Sequence, residues 1–136
     1  MRLDLWDPPV TGFAGIEITL PLMIDSALAG RIPLEHVVAA MSTRPARLFG
    51  IYPQKGSLRL GSDADLVLVD LAETRVIDPD ALHTRGRLTP FAGTRVRGWP
   101  KYTLLRGQIL VAEGVLATQE RLGRFIRPAR ETVQRW

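Results

Sequence analysis

A strand-rich stretch late in the chain, residues 89–114 (TPFAGTRVRGWPKYTLLRGQILVAEG), constrains the fold more than any other part of the sequence. Residues 102–105 and 108–112 are dense in residues that favour strands, and an Arg-Gly pair at 106–107 separates them. A Glu-Gly pair at 113–114 predicts another turn before the next apolar residues. The stretch therefore predicts a β-hairpin that continues through a second turn.

The beginning of the chain has a different pattern. Residues 1–14 contain two adjacent prolines and an Asp-Pro step, so we expect a loop there. Apolar residues then fall on a helical stripe that ends at Gly30. Because proline is tolerated in the first turn of a helix, Pro21 predicts that the regular helix begins at about Leu20.

Two further short helices are predicted before residue 51. The first covers residues 32–41, where apolar side chains recur at helical spacing. Ser42 or Thr43 is expected to cap the second, which holds Pro45 in its first turn and ends at Gly50.

Strand patterns replace the helical period after residue 50. Residues 64–71 (ADLVLVDL) form a nearly continuous apolar run, and residues 74–77 form a shorter one before a helical turn predicted at 80–83. Helices before residue 51 and strands after it are typical of an α+β fold.

This change of pattern divides the chain into three predicted parts. Residues 1–50 hold the loop and the helices, residues 51–118 hold the sheet, and residues 119–136 form a basic C-terminal tail. Apolar residues recur in the tail at an amphipathic spacing, which Pro128 interrupts.

Composition excludes several classes of protein. Hydrophobic residues make up 46% and charged residues 24% of the 136, as in globular domains. No apolar run approaches the roughly 18–20 residues of a membrane span, and the first residues do not resemble a secretory signal. A cytoplasmic protein without a membrane partner is therefore expected. Since the chain has no cysteine, disulfides and thiolate ligands are excluded.

The net charge of +4 raises the question of a nucleic-acid partner. Of the 18 basic residues 16 are arginines, and they alternate with acidic residues along most of the chain. Only the tail is locally basic. Because no basic stripe or patch stands out, we expect a solvated arginine-rich surface and no nucleic-acid binding.

Candidate catalytic side chains are few. His36 and His83 lie far apart in the sequence, and neither belongs to a metal-binding motif such as His-Glu-x-x-His, so neither is expected to bind a metal. Asp63, Asp65 and Asp70 flank the apolar strand. Carboxylates at such positions commonly accept hydrogen bonds from turn amides, so structural roles are expected for all three.

A glycine-containing loop, residues 11–17 (TGFAGIE), is the remaining candidate site. Gly12 and Gly15 permit close approach of a ligand to the backbone, and the loop leads into a helix whose first amides can hold an anion. The same residues suit an ordinary helix start equally well.

Four segments, in this order, resemble the C-terminal third of a dihydroorotase: residues 12–22 (GFAGIEITLPL), 43–50 (TRPARLFG), 56–66 (GSLRLGSDADL) and 89–114. The second and third segments contain pieces shared across the amidohydrolase superfamily, including allantoinase and dihydropyrimidinase. The combination of TPFAG with the later GWP favours the dihydroorotase branch. The resemblance covers about residues 9–116 and leaves the basic tail outside it.

The resemblance implies the last helices of a TIM-barrel amidohydrolase followed by part of a small β-sandwich. Family members reversibly hydrolyse the cyclic amide of dihydroorotate to carbamoyl aspartate in pyrimidine biosynthesis. They use a zinc-activated hydroxide, because a metal both polarises the carbonyl and lowers the pKa of water. Thr11 and Gly12 match the loop whose backbone groups contact the pyrimidine ring, and they are the substrate-binding residues that we carry over.

The chain departs from the family at its catalytic centre. The His-x-His pair, the carboxylated lysine, the later histidines and the catalytic aspartate of the family all precede the matched region. Residues 1–9 do not reproduce the Asp-His-Ala-Pro-His motif expected before the loop. We therefore expect no catalytic residue, no metal ligand and no cofactor in this chain, and no activity from it alone.

Three hypotheses follow from the resemblance. The chain is a C-terminal fragment of a dihydroorotase-like enzyme, or a non-catalytic assembly protein that retains the sandwich, or a fragment of an allantoinase- or dihydropyrimidinase-type enzyme. In the family, N-terminal strands complete the sandwich, so self-association or a complementary chain is expected to cover the exposed sheet. A small pyrimidine substrate is expected only if a barrel is supplied.

Overall fold

A computed structural model of the chain describes residues 12–13, 15–118 and 120–128. Helices come first and a four-stranded antiparallel sheet follows, which confirms the α+β fold. The elements are α1 (Ile16–Leu28), α2 (Leu34–Val38), a π-helical turn (Ala39–Thr43), α3 (Arg44–Leu48), β1 (Leu66–Val76), a 3-10 turn (Pro79–Ala81), β2 (Arg95–Leu105), β3 (Gln108–Ala112) and β4 (Val115–Leu116).

Helix α1 begins one turn earlier than the sequence predicts, so the start expected at about Leu20 is wrong and Pro21 lies inside the helix. The first turn closes before the proline, because Thr19 donates to the Gly15 carbonyl from its backbone N (2.9 Å) and from its hydroxyl (2.7 Å). Proline has no N–H to donate to the carbonyl of Glu17. Its ring is buried, and this packing offsets the missing hydrogen bond.

The second and third predicted helices are one continuous helical segment, in which a π-helical turn joins α2 to α3. The cap predicted at Ser42 or Thr43 is therefore wrong. Thr43 has helical dihedral angles and its hydroxyl donates to the carbonyl of Gly56 (3.0 Å). The wide turn has a physical cause, since Pro45 cannot donate to the carbonyl of Met41 and its ring needs space there.

The sheet has the strand order β1-β2-β3-β4, and each strand is antiparallel to the next. The predicted hairpin is confirmed, although β2 already begins at Arg95. Both predicted turns have positive φ at two successive residues, 48° and 82° at Arg106 and Gly107 and 52° and 82° at Glu113 and Gly114. Such turns match the twist of antiparallel strands.

Strand β1 is a single strand, so the prediction of two strands is wrong. Its pairing with β2 is irregular between Asp70 and Thr74, where the sequence suggested a gap. At this irregularity a carboxylate oxygen of Asp70 accepts from the backbone N of Ala72 (2.8 Å) and of Glu73 (3.2 Å). The structural role expected for Asp70 is confirmed, and its hydrogen bonds let the strand continue through a bulge.

The core lies where α1 packs against one end of the sheet. Ile18, Ile77 and Val96 are almost completely buried there. Gly98 of β2 fits closely against α1, because a Cβ on Gly98 would lie 2.2 Å from Cγ2 of Ile24. The φ of Gly98 is +95°, which favours glycine as well. We call this part of the sheet the docked end.

The opposite part of the sheet, which we call the open end, exposes apolar side chains on both faces. Val67, Leu68 and Ile109 are 46%, 49% and 47% exposed. Neighbouring side chains on a strand point to opposite faces, so Val67 and Leu68 belong to different faces. Within the described residues, nothing covers either face completely.

Two smaller expectations are also corrected. The helical turn predicted at residues 80–83 lies at Pro79–Ala81, where the side chain of Asp78 caps it by accepting from the backbone N of Asp80 (2.9 Å). The amphipathic tail has no regular secondary structure over residues 120–128, and residues 129–136 lie outside the described part. None of the described helices is long and apolar enough to cross a membrane.

Candidate functional site

The glycine-containing loop before α1 is the only candidate site that the resemblance assigns. Thr11 lies outside the described residues, and Gly12 is exposed. Among the described residues, a Cβ on Gly12 would meet no atom within 4 Å. The helix that follows has no side-chain cap at Gly15. The loop therefore has room for a ligand beside its backbone at Gly12.

Glu17, in the first turn of α1, anchors this region to a distant loop. Its carboxylate accepts from the backbone N of His83 (2.9 and 3.1 Å) and of Thr84 (3.2 Å), and lies 2.8 Å from Nδ1 of His83. Partial burial raises the pKa of Glu17, but the hydrogen bonds from His83 and Thr84 outweigh burial and the pKa is lowered overall. Glu17 is therefore an anion at neutral pH.

A second contact joins the same loop to the corner at residues 89–93. The ring of Phe13 meets the ring of Phe91 edge to face, with centroids 5.9 Å apart and planes at 69°. The corner is itself well fixed, because Thr89 is buried and its hydroxyl accepts from the backbone N of Phe91 (3.2 Å). The backbone N of Gly93 donates to the carbonyl of Ile77 in the core (2.9 Å).

A groove of about 840 Å³ lies between α1 and one face of the sheet. Its walls are largely apolar, including Leu20 of α1 and Val67 of β1. Arg75, which also lines it, has its guanidinium 5.0 Å from the centre of the Trp99 ring and 2.5 Å from the carboxylate of Glu73. The polar groups at the groove are thus engaged with their own neighbours. The groove has the character of a surface for packing rather than a reaction centre.

Both lysines of the chain are held in ion pairs. Nζ of Lys55 lies 2.8 Å from the carboxylate of Asp63 and also contacts Asp65, whose other oxygen accepts from the backbone N of Arg106 (2.8 Å). Burial lowers the pKa of Lys55, but the hydrogen bonds that Lys55 donates to Asp63 and Asp65 outweigh burial, and its pKa is raised overall. The structural roles expected for Asp63 and Asp65 are confirmed.

Lys101 is held by Glu113 (2.5 Å) and Glu73 (2.9 Å), and hydrogen bonds to these two carboxylates raise its pKa. A lysine that becomes carboxylated or acts as a nucleophile must first lose its proton. The ion pairs of Lys55 and Lys101 oppose that step. Neither lysine suits the chemistry of a catalytic centre.

The residues described do not fit a metal ion. Within them, no three His, Cys, Asp or Glu side chains come together as a donor set. His36 is exposed on α2, and Nδ1 of His83 faces Glu17 instead. A catalytic metal would therefore need ligands from other residues.

A family comparison agrees with the fold. The model of the Amidohydrolase family matches residues 13–110, which is most of the chain. The chain therefore belongs to the amidohydrolase family.

Two similar relatives are proteins named hydantoinases. The chain is 38% identical over 124 residues to the L-hydantoinase of Paenarthrobacter aurescens. These 124 residues are 90% of this chain and 27% of that relative. It is 39% identical over 116 residues to the D-hydantoinase of Ralstonia pickettii, covering 85% of the chain and 25% of the relative. The chain thus spans about a quarter of the length of these relatives.

Solved structures show the same likeness. A D-hydantoinase (dihydropyrimidinase) from Thermus sp. superposes with a TM-score of 0.81 at 30% identity, over 86% of this chain and 26% of that one. The L-hydantoinase (dihydropyrimidinase) from Arthrobacter aurescens gives a TM-score of 0.76 at 40% identity, over 79% and 24%. The helices and the sheet of this chain therefore match part of an amidohydrolase structure, as expected from the resemblance.

Sequence reasoning found the glycine loop but missed what holds it. The contacts of Glu17 with His83 and of Phe13 with Phe91 join residues more than sixty positions apart. No local pattern in the sequence indicates such contacts. The sequence analysis placed residues 89–93 in the sheet-forming part of the chain, and the structure shows that Phe91 of this corner also contacts Phe13 of the loop.

Proposed function

We propose that this chain is the C-terminal segment of a cyclic-amide hydrolase of the hydantoinase and dihydropyrimidinase branch. The observation that carries the proposal is 38–39% identity to two hydantoinases over 85–90% of the chain. The narrower interpretation as a dihydroorotase finds no specific support in these relatives. They favour the dihydropyrimidinase-type alternative, so the combination of TPFAG and GWP is a weaker marker than the sequence suggested.

The chain's own contribution to such an enzyme is positional. Gly12 presents an accessible backbone next to α1, which suits a loop that hydrogen-bonds the amide groups of a cyclic substrate. A planar cyclic amide offers N–H donors and carbonyl acceptors, and a backbone strand or loop can pair with both. Thr11 and Gly12 remain the residues that we propose for this contact.

We propose that the bond cleavage itself depends on residues supplied by a barrel that is not part of this chain. Amides are poor electrophiles, and in this family zinc would supply the activation. His83, Lys55 and Lys101 already pair with carboxylates, and His36 is exposed on α2 away from any cluster of possible metal ligands in the described residues. The chain alone is therefore proposed to be inactive, and the enzyme becomes active only with a barrel that carries the metal ligands.

The apolar open end supports a further part of the proposal, namely that other protein covers the sheet. Val67, Leu68 and Ile109 would remain about half exposed in an isolated chain. Apolar faces and an unpaired strand edge of this kind favour association. A complementary segment of the same enzyme is the preferred cover, and a second copy of the chain takes its place when that segment is missing.

The proposal is tested by grafting this chain into a host enzyme. In the D-hydantoinase of Ralstonia pickettii, the 116 matching residues are replaced by those of this chain. The matched control is the same graft into a dihydroorotase barrel. Each host is assayed on its own substrate, a 5-substituted hydantoin or dihydroorotate, beside the host with the segment simply deleted.

We expect activity in the hydantoinase graft and not in the dihydroorotase graft, because the segment must pack against a barrel of its own branch. The host supplies the metal ligands in both cases. The two grafts therefore differ in how well the grafted segment packs against the barrel of the host. Activity in the dihydroorotase graft alone would overturn the assignment to the hydantoinase branch. A folded hydantoinase graft with no activity on hydantoin or dihydropyrimidine substrates would overturn the proposed function.

A further inference from the structure

One segment between the 3-10 turn and β2 contacts the glycine loop on both sides of Gly15. At one end of this segment, His83 and Thr84 donate to the carboxylate of Glu17. At its other end, Phe91 packs its ring against Phe13. We call residues 83–91 the brace.

The brace can hold the loop only if it is itself fixed, and its two ends are. Leu82, just before it, and Phe91 pack against the buried core. Thr89 is only 6% exposed, and its hydroxyl holds the backbone N of Phe91. The brace is thus attached to the core that α1 and the docked end of the sheet form together.

Gly12 gains no close packing from the described residues, because a Cβ built on it would meet none of their atoms within 4 Å. Glycine backbones are also intrinsically flexible. Ordering such a backbone costs about 1–2 kcal/mol of conformational entropy per residue, which a substrate would otherwise have to offset when it binds. Contacts at Phe13 and Glu17 order the loop in advance.

We propose that the brace positions the glycine loop for substrate, with Glu17 and Phe91 as positioning residues that act through the loop backbone. The sheet would then determine where Gly12 lies, through the core contacts of Leu82 and Phe91. This inference rests on the proposed function, because it assigns Gly12 to substrate binding. It adds a reason why a sheet remote from the chemistry belongs to the enzyme.

The test exploits the absence of cysteine from the chain. A nitroxide spin label is attached at Gly12→Cys, where a side chain meets no neighbouring atom, and a reference label is attached at Gly123→Cys in the tail, which is equally unobstructed. Each label is measured by electron paramagnetic resonance in the complete 136-residue chain. Line shapes report local motion on the nanosecond scale even if the chain associates.

Two substitutions weaken the brace and two serve as matched controls. Glu17→Gln replaces one acceptor oxygen by an NH₂ group that cannot accept from His83 or Thr84, and Phe91→Leu removes the ring contact while leaving an apolar side chain. Glu35→Gln on α2 and Phe125→Leu in the tail change exposed residues of the same types.

We expect each brace substitution to shorten the rotational correlation time of the label at Gly12 about twofold or more, while the label at Gly123 and both control variants stay unchanged. If neither brace substitution changes the Gly12 spectrum, the brace does not exist. If the labels at Gly12 and Gly123 loosen together, the substitutions weaken the whole fold and the inference is equally wrong.

Kinetics of the active hydantoinase graft then separate positioning from mere structure. We expect Glu17→Gln and Phe91→Leu to raise KM about tenfold with a smaller change in kcat, because an unordered loop weakens substrate binding. A merely structural role would reduce the amount of active enzyme and leave KM unchanged. An inactive graft contradicts the proposed function, whereas an unresponsive Gly12 label contradicts the brace, so the two failures are distinguishable.

Discussion

The two ends of the sheet are built from similar residues but are completed differently. At the docked end, Ile77 and Val96 are buried against α1, and Gly98 leaves space for Ile24. At the open end, Val67 and Leu68 of β1 are about half exposed on opposite faces. The sheet therefore runs from a buried core at the docked end to half-exposed apolar side chains at the open end.

Polar contacts join α1 to the docked end. Asp25 of α1 accepts from the backbone N of Arg97 in β2 (3.0 Å), and Glu17 holds the loop that precedes β2. Such polar contacts fix one arrangement, whereas apolar contacts alone tolerate several. The difference teaches that α1 buries the docked end within this chain, whereas for the rest of the sheet we propose a cover from other protein.

The largest effect is expected from Gly98→Ala at the docked end. A methyl group there would overlap Cγ2 of Ile24. The alanine backbone would also have to adopt a φ of +95°, which residues with a Cβ rarely do. Backbone strain and overpacking each cost about 1–3 kcal/mol, so the free energy of unfolding should fall by about 3 kcal/mol or more. Urea denaturation measures the loss.

The matched control is Gly123→Ala, where the added methyl meets no atom within 4 Å. Its stability should stay within about 0.5 kcal/mol of the unmodified chain. Equal midpoints for Gly98→Ala and Gly123→Ala would show that α1 does not pack on β2 as described.

A pair of large-to-small substitutions compares the two ends directly. Ile77→Ala removes a buried side chain and should cost about 2–5 kcal/mol, because it leaves a cavity in the core. Val67→Ala changes a side chain that is already 46% exposed and should cost less than about 1 kcal/mol. Urea denaturation of both variants under the same conditions gives the two losses of unfolding free energy. Similar losses would mean that the open end is covered in the isolated chain.

A smaller and pH-dependent effect is expected from Glu17→Gln. The folded-state pKa of Glu17 is lowered, so the stability that its charge contributes is fully present above the unfolded-state pKa and is lost as pH falls through the folded-state pKa. The unmodified chain should exceed the variant by about 1 kcal/mol at neutral pH. Urea midpoints measured from pH 7 down to acid should converge below the ordinary carboxyl range. A gap that stays constant throughout would show that the charge of Glu17 is not involved.

The smallest effect on stability is expected from Leu68→Lys at the open end. Since this side chain is 49% exposed, a lysine can keep its charge in water there and the unfolding free energy should change by less than about 1 kcal/mol. Association should respond instead. Size-exclusion chromatography with light scattering is expected to show self-association of the unmodified chain and less of it in the variant. A compact monomer of the unmodified chain would remove the proposal that the open end needs a cover.

Local features of the fold were predictable from the sequence. Arg106-Gly107 and Glu113-Gly114 specify their turns, because each pair brings a glycine to a position with positive φ. Pro21, Pro45 and Asp70 misled the prediction, since each is a residue that usually ends an element. In this protein, packing and hydrogen bonds allow the helices and the strand to continue through these three residues.

The candidate site was only half predictable for a related reason. Gly12 could be singled out from its own neighbours, because a glycine before a helix start is a local signal. The brace could not, since Glu17 and Phe13 meet partners that only the folded chain brings near. The resemblance identified the superfamily through short motifs, but the choice of branch depended on residues 89–100, which also serve the packing of the loop.

Zinc content is the measurement that tests the central claim most directly, namely that this chain provides positioning and other protein provides the chemistry. The purified chain and the hydantoinase graft are dialysed against the same zinc-containing buffer and analysed for metal per polypeptide. The account predicts a zinc content near zero for the chain and a content equal to that of the unmodified host for the graft. One tightly held zinc ion per chain, in the absence of any host, would contradict it.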